Sequence, residues 1–323
     1  VTAGRGTGGA APAAVPLRPS SGTAPGDAPF GPAQQRPALT VQDLRVSYPS
    51  ASGSAEVVHG VDLSVGRGRT LAVVGESGSG KSVTARAVLR LDPDARVSGR
   101  VLLGDTDVLA LPRRRLRTVR GARVGLVFQD PLSALNPVMT VGWQIMQPLR
   151  FRGVSRAEAR RRGIDLLGQL GVRDAARRFD DYPHQFSGGM RQRVVIAIAV
   201  IADPEVLIAD EPTTALDVRV QAQVLAVLRR LADDRGMSVV LITHDLGIVA
   251  GFADDIVVLR SGRVVERGTV DEVYARPHDP YTRGLLGAVP RLDADPSVPL
   301  AVVPPETPGP AAGDAAPTQE VTR

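Results

Sequence analysis

Eight consecutive residues, Gly75-Glu76-Ser77-Gly78-Ser79-Gly80-Lys81-Ser82, have the spacing G-x-x-x-x-G-K-[ST] at every defined position. Glycines at these places let successive backbone N–H groups turn inward on a polyphosphate. The short apolar run Leu71-Ala72-Val73-Val74 precedes the loop, and Val83, Ala85, Ala87, Val88 and Leu89 follow it among polar residues. The loop therefore joins a buried strand to a helix, whose N-terminus offers unpaired amides and a favourable dipole to an anion. Lys81 is placed to reach the β- and γ-phosphates and Ser82 to ligate Mg²⁺. Of 39 basic side chains only Lys81 is lysine. A compact ammonium stands where a forked guanidinium would fit the loop differently. The bland alternative, a chance glycine-rich turn, is disfavoured by the strand before the loop and the helix after it.

A second chemical pair, Asp210 and Glu211, directly follows the apolar run Val206-Leu207-Ile208-Ala209. That places both carboxylates at the carboxyl end of a strand, where parallel α/β sheets bind ligands. Asp210 is expected to hold Mg²⁺ through water, and Glu211 to polarise the water that attacks a γ-phosphate. Standing alone, such a pair could equally be an acidic strand end.

The elements that must position these groups follow from periodicity. Leu39, Val41, Leu44, Val46 and Tyr48 read as an edge-sheet strand with a slip or bulge, and a second strand runs from about Val57 to Val65. Val101-Leu102-Leu103 and Val124 to Phe128 read as further strands, separated by an arginine-dense segment from Pro112 to Arg120 that reads as a solvated helical face. From about 131 to 200 the pattern is mostly helical, with Ser155-Arg156-Ala157-Glu158 as a capping box. Strand and helix then alternate again. A helix with Val220, Val224, Val227, Leu228 and Leu231 on its buried face ends at Gly236, and Val239 to Ile242 is the next strand. Asp255 to Leu259 and Arg263 to Glu266 form a hairpin around Ser261-Gly262, and Thr269 to Glu272 caps a further helix. Residues 1 to about 37 and those after about 290 are rich in Ala, Pro and Gly and are expected to be disordered tails.

Composition narrows the class. With no cysteine, disulfides, thiolate metal sites and cysteine-ligated clusters are excluded. A net charge of +5 permits nucleic-acid or lipid headgroup binding. Against this, the charges are interspersed and only 3% of residues are aromatic, few platforms for stacking bases. The longest strictly aliphatic run, Val194 to Ala202, falls well short of the roughly 20 residues that cross a bilayer as a helix. The start carries no apolar segment of secretory type, which points to a cytoplasmic chain. Val1 is either a non-standard initiator read literally or a trimmed start.

Between about Leu39 and Leu286 the residues resemble the ATP-binding cassette (ABC) family. The most specific mark is Phe186-Ser187-Gly188-Gly189-Met190-Arg191-Gln192-Arg193, which is similar to the family's signature motif, with Phe where leucine is commoner. The resemblance implies an α/β fold of the P-loop NTPase (RecA-like) kind, with an antiparallel β subdomain and a helical subdomain. The ATPase domain would cover 38–272, the helical subdomain about 131–200. In the family, Ser187, Gly188 and Gly189 act on the γ-phosphate held by an opposite subunit. Tyr48 matches the aromatic that stacks on adenine, although a tyrosine there could be a strand-end core residue. Gln129 matches the loop that senses Mg²⁺ and the attacking water, and His244 the switch histidine at the γ-phosphate. Asp217 matches the loop that communicates across the dimer, and by itself reads as a helix N-cap. The implied ligands are ATP and Mg²⁺. Ser82, Gln129 and Asp210 would be the metal's protein contacts.

Within the family, Gln129-Asp130-Pro131-Leu132-Ser133-Ala134-Leu135-Asn136-Pro137 is similar to the extended glutamine loop of the oligopeptide, dipeptide and nickel importers. His278-Asp279-Pro280-Tyr281-Thr282-Arg283-Gly284-Leu285-Leu286 resembles that subfamily's C-terminal segment, here assigned to 273–290, with Asp279 inserted. The resemblance implies two membrane permeases, a second ABC ATPase of paralogous type, an extracytoplasmic solute-binding protein, and a peripheral place on the cytoplasmic face of the membrane. Cargo is left open between di- or oligopeptides and nickel or another small solute. Two rivals are a soluble regulator or nucleic-acid factor of the same superfamily and a binding module that has lost catalysis. The first commonly carries two cassettes or a long coiled coil, neither of which is evident here. Against the second, Lys81, Gln129, Ser187, Asp210, Glu211 and His244 are all present.

Overall fold

The computed structural model describes residues 36–51, 53–213 and 217–289. The expected tails thus fall almost wholly outside the described residues, as do Thr214, Ala215 and Leu216.

Two sheets carry the architecture. In the first, strands β1 (Leu39–Ser50) and β2 (Gly53–Val65) are joined by β4 (Arg96–Leu103) and the short β5 (Thr106–Asp107) in the antiparallel order β2-β1-β4-β5. The register of β1 shifts between Val41 and Leu44, the bulge that its apolar spacing required. β1 is not an edge strand, however. Leu39, Val41, Leu44 and Val46 are all buried, and the strand pairs with β2 on one side and β4 on the other, a placement that its apolar spacing leaves open because side chains project away from the hydrogen-bonded edges.

The second sheet has the order β10-β9-β3-β8-β7-β6. Its members are β3 (Thr70–Val74), β6 (Val124–Val127), β7 (Val206–Asp210), β8 (Ser238–Thr243), β9 (Asp255–Arg260) and β10 (Arg263–Thr269). All pairings are parallel except β9 with β10. Its central strands are buried on both faces, hence their near-continuous apolar sequences. Val206, Ile208, Val240 and Ile242 join a core shared with the first sheet and α1 (Lys81–Val88). Leu207, Ala209, Val239 and Leu241 face the opposite way into a core with the helices.

Between β6 and β7 lie α2 (Pro131–Ala134), α3 (Val141–Phe151), α4 (Arg156–Gln169), α5 (Ala175–Arg178) and α6 (Gly188–Val200). Only half of the capping box before α4 forms. The Ser155 hydroxyl accepts the Glu158 amide, but the Glu158 carboxylate pairs with Arg161 and Arg162, whose charge-assisted bonds outcompete a neutral amide. The arginine-dense stretch differs too. It folds into one 3-10 turn, Arg115–Thr118, with Leu116 and Val119 buried beneath it, too short to present a helical face.

α6 lies against the sheet at unusually close range. A Cβ on Gly125 of β6 would come within 2.3 Å of the Ala199 carbonyl oxygen, so only glycine permits the approach. At its end, Arg235 donates to the carbonyl of Val200, the last residue of the helix, and Arg152 to that of Ala202 just beyond. Then come α7 (Val218–Arg235), capped by Asp217 and closed by Gly236 in the left-handed region, and α8 (Leu246–Val249). After the β9–β10 hairpin come α9 (Val270–Ala275), whose Thr269–Glu272 capping box is complete, and α10 (Pro280–Gly287). Together with α8, these pack on Ala72, Val74, Ile256 and Val258.

Candidate active site

The order β3-β8-β7-β6 sets four parallel strands side by side, so their carboxyl ends form one edge from which loops converge. β3 delivers the glycine-rich loop, β8 delivers His244, β7 delivers Asp210 and Glu211, and β6 leads to Gln129. Residues separated by more than a hundred positions in sequence meet there.

Lys81 is buried, 4% exposed, with its Nζ donating to the carbonyls of Gly75 at 2.8 Å and Glu76 at 2.7 Å and to Ser79 Oγ at 3.3 Å. Burial lowers its pKa, opposed by the charges of Glu211, Asp210 and Glu76. The loop curls around the ammonium so that its carbonyls stand in for anionic oxygens. Gly75 is obligatory: its φ is 152°, and a Cβ there would lie 2.2 Å from the carbonyl oxygen of Leu259. Gly80, at φ 97°, starts α1. Gly78 is likewise in the positive-φ region, and the exposed Ser77 continues the turn. The Ser79 carbonyl accepts the Gly262 amide from the β9–β10 turn at 2.9 Å.

Ser82, in the first turn of α1, donates its hydroxyl to Asp210 Oδ1 at 2.9 Å. Burial raises the pKa of Asp210, aided by the charge of Glu211 and opposed by the Ser82 bond. Glu211 adopts φ 47°, in the left-handed region, at a cost of about 1–2 kcal/mol for a residue with a Cβ. Its amide donates to the Ile242 carbonyl of β8 at 2.9 Å. The carboxylate meets Gln129 Nε2 at 2.7 Å through one oxygen and His244 Nδ1 at 3.1 Å through the other. This is a buried carboxylate held between two polar groups, with the His244 side chain 54% exposed at the mouth. A strained backbone held by surrounding bonds is characteristic of functional positions.

The other sequence-selected residues lie elsewhere. Tyr48 is half-buried against the first sheet's core and donates its hydroxyl to Asp92 Oδ2 at 2.7 Å, where Arg86 also binds. Burial and the Asp92 bond both raise the phenol's pKa. Ser187 caps α6 and accepts no bond through its side chain, and Ser187 and Gly188 are exposed while Gly189 is partly so. The start of α6 thus presents free amides to an external anion. Asp217 accepts the Val220 amide at 3.0 Å.

One contact was invisible to residue spacing. Tyr281 of α10 accepts the Glu76 amide at 3.0 Å, across 205 positions, and nothing local to Tyr281 announces it.

Comparisons with known proteins bear on the family and the fold. Residues 58–214 match the ABC transporter family, and 265–315 match the oligopeptide/dipeptide transporter C-terminal region. The chain is 47% identical over 259 residues to the dipeptide transport ATP-binding protein DppD of Bacillus subtilis (strain 168), covering 79% of this chain and 77% of that protein. The chain belongs to the ABC transporter family. This ABC ATPase is also 44% identical over 284 residues to the oligopeptide transport ATP-binding protein OppD of the same organism, covering 86% of this chain and 79% of that one. Among solved structures it resembles the dimeric ATP-binding cassette MJ0796 in a post-hydrolysis state bound to ADP and Pi. The TM-score is 0.66 and the identity 28%, over 72% of this chain and 98% of that one. The fold is thus that of an ABC ATPase cassette. No helix among the described residues is long and apolar enough to cross a membrane.

Proposed function

We propose that this ABC ATPase is the ATP-hydrolysing subunit of an importer for di- or oligopeptides. The observation that carries the reading is the Gln129–Glu211–His244 cluster beside the Lys81 loop. On binding ATP, Lys81 exchanges the Gly75 and Glu76 carbonyls for phosphate oxygens. Glu211 takes a proton from the attacking water, while Gln129 and His244 orient the carboxylate and the water.

The donor set fits Mg²⁺. Ser82 and Asp210 offer hard oxygens already in contact. That suits an ion bound through one or two protein oxygens together with phosphates and water. Ser82 and Asp210 would hold it, with Gln129 nearby. When bound, the ion neutralises charge on the phosphates.

The open end of α6 is suited to a triphosphate carried by a second ATPase chain, of paralogous type, so that two chains close face to face around nucleotide. Asp217 would then lie in the segment that communicates between them, and Tyr48 would stack on adenine. Leu132, Val138 and Trp143 expose apolar surface beside the Gln129 loop, as a partner-binding patch does. There the chain would dock permeases on the cytoplasmic face of a membrane, fed by a solute-binding protein outside.

The test is uptake of labelled dipeptide, longer peptide and nickel in the source cells, comparing native chain with Glu211→Gln. Selective loss of peptide uptake is the expected result. Loss of nickel uptake alone would change the cargo and keep the mechanism, and no loss of either would reject an importer role.

A further inference from the structure

Tyr281 contributes nothing to the chemistry above, yet it touches the phosphate loop at its most constrained peptide. We propose that Tyr281 is a positioning residue of the nucleotide site, its hydroxyl fixing the Gly75–Glu76 peptide so that the C-terminal helix α10 forms part of the phosphate loop. The inference rests on the reading of residues 75–82 as that site.

The geometry is specific to one peptide unit. No peptide bond among the described residues is cis, and in a planar trans peptide the C=O and N–H point in opposite directions. The carbonyl of Gly75 receives Lys81 Nζ at 2.8 Å, while the N–H of Glu76, the other end of the same unit, donates to the Tyr281 hydroxyl at 3.0 Å. The peptide is therefore clasped between the ammonium that handles phosphate and a phenol from the far end of the chain. When a triphosphate draws Lys81 away from the carbonyl, Tyr281 retains its hold on the N–H.

The phenol is itself buried, and the backbone that carries it is tied to the hairpin. Tyr281 is 1% exposed, with the Arg260 guanidinium 4.7 Å from its ring centroid. Its own amide donates to Asp279 Oδ1 at 2.7 Å. The amides of His278 and Asp279 donate to the two carboxylate oxygens of Glu266 on β10, at 2.7 and 3.1 Å. That hairpin also supplies the Leu259 carbonyl behind Gly75 and the Gly262 amide on Ser79. The β9–β10 turn and α10 thus form a continuous wall behind the loop. Plain satisfaction of a buried amide would account for the bond by itself. It would not account for the bond falling on the peptide that both serves Lys81 through its carbonyl and follows Gly75 at φ 152°, hard against the Leu259 carbonyl.

Without the hydroxyl, the loop populates its binding-competent shape less, and apparent affinity falls by that fraction. Tyr281→Phe keeps the ring and its contact with Arg260. It is expected to weaken ATP binding to the full chain about fivefold to tenfold, with tenfold corresponding to ~1.4 kcal/mol. In the assembled transporter KM for ATP rises by a similar factor while kcat stays within about twofold. Hydrogen exchange of the Glu76 amide accelerates more than that of its loop neighbours. Unchanged affinity would overturn the proposal, whether or not the melting temperature falls. So would weaker binding in which Glu76 exchange rises no more than that of its neighbours, since that marks general loosening. Lys81→Ala serves as the control. If it too leaves ATP binding intact, the nucleotide-site reading fails. If it abolishes binding while Tyr281→Phe does nothing, only the role of Tyr281 fails.

Discussion

Replacing Glu211 by glutamine separates catalysis from binding. The substitution keeps shape and removes one charge. Gln129 Nε2, now 2.7 Å from a carboxylate oxygen, would still find an acceptor. The backbone bond to Ile242 and the left-handed turn at φ 47° are untouched. The side chain is only 9% exposed and stands next to the buried Asp210. Neutralising it relieves desolvation and repulsion but forfeits its attraction to the buried Lys81, so the melting temperature should change little. Nucleotide binding should hold or tighten as well, because one negative charge leaves the neighbourhood of the triphosphate. The proton acceptor for water is lost, which general-base catalysis values at about 10²–10⁴-fold in rate, or ~3–5 kcal/mol of barrier. The assay is phosphate release by the purified transporter complex, paired with equilibrium ATP binding to the same variant. Turnover within tenfold of native would refute the assignment of Glu211 as base. Lost ATP binding would refute the claim that its surroundings tolerate a neutral side chain.

Gly75→Ala is expected to abolish ATP binding, since its methyl would collide with a backbone oxygen of Leu259 that cannot step aside. Calorimetric titration reads this directly. Asp217→Ala removes the N-cap of α7 and should cost about 1 kcal/mol, lowering the melting temperature by about 2–4 °C. A larger fall would mean that Asp217 has partners beyond the cap. Burial pushes the Glu266 carboxyl up, but hydrogen bonds, those of the His278 and Asp279 amides among them, outweigh it and hold the group below its usual 4.5. The unfolded chain then binds the proton more tightly. The stability Glu266 contributes is complete above that value and is lost as pH falls through the lower folded value. Urea midpoints measured from pH 6 downward should decline more steeply for the native chain than for Glu266→Gln; parallel curves would contradict the assignment.

Much of this site was readable from residue order because its members sit on strong local signals. Lys81 and Ser82 close a fixed-length loop after an apolar strand, and Asp210 and Glu211 end another. What sequence lacked was adjacency. That β8 lies between β3 and β7, and so brings His244 onto Glu211, depends on strand order, which is fixed by packing on both faces of the sheet. The misread elements have the same origin. The spacing of β1 is identical for an edge and an interior strand, and the fate of the Glu158 carboxylate depended on whether an arginine or an amide reached it first. The Tyr281 contact joins two segments by a single hydrogen bond, a relation that no periodicity encodes.

Helix α6 combines an open front with a fixed rear. Its thirteen residues span about 20 Å at 1.5 Å each. Behind them two guanidiniums grip carbonyls that would otherwise fray, and glycine lets the rod lie flush on β6. An anion arriving at Ser187 would meet a helix whose last turn is tied down. A shift of the whole rod would press on β6, the strand that leads to Gln129, and so bear on the Glu211 carboxylate that Gln129 holds.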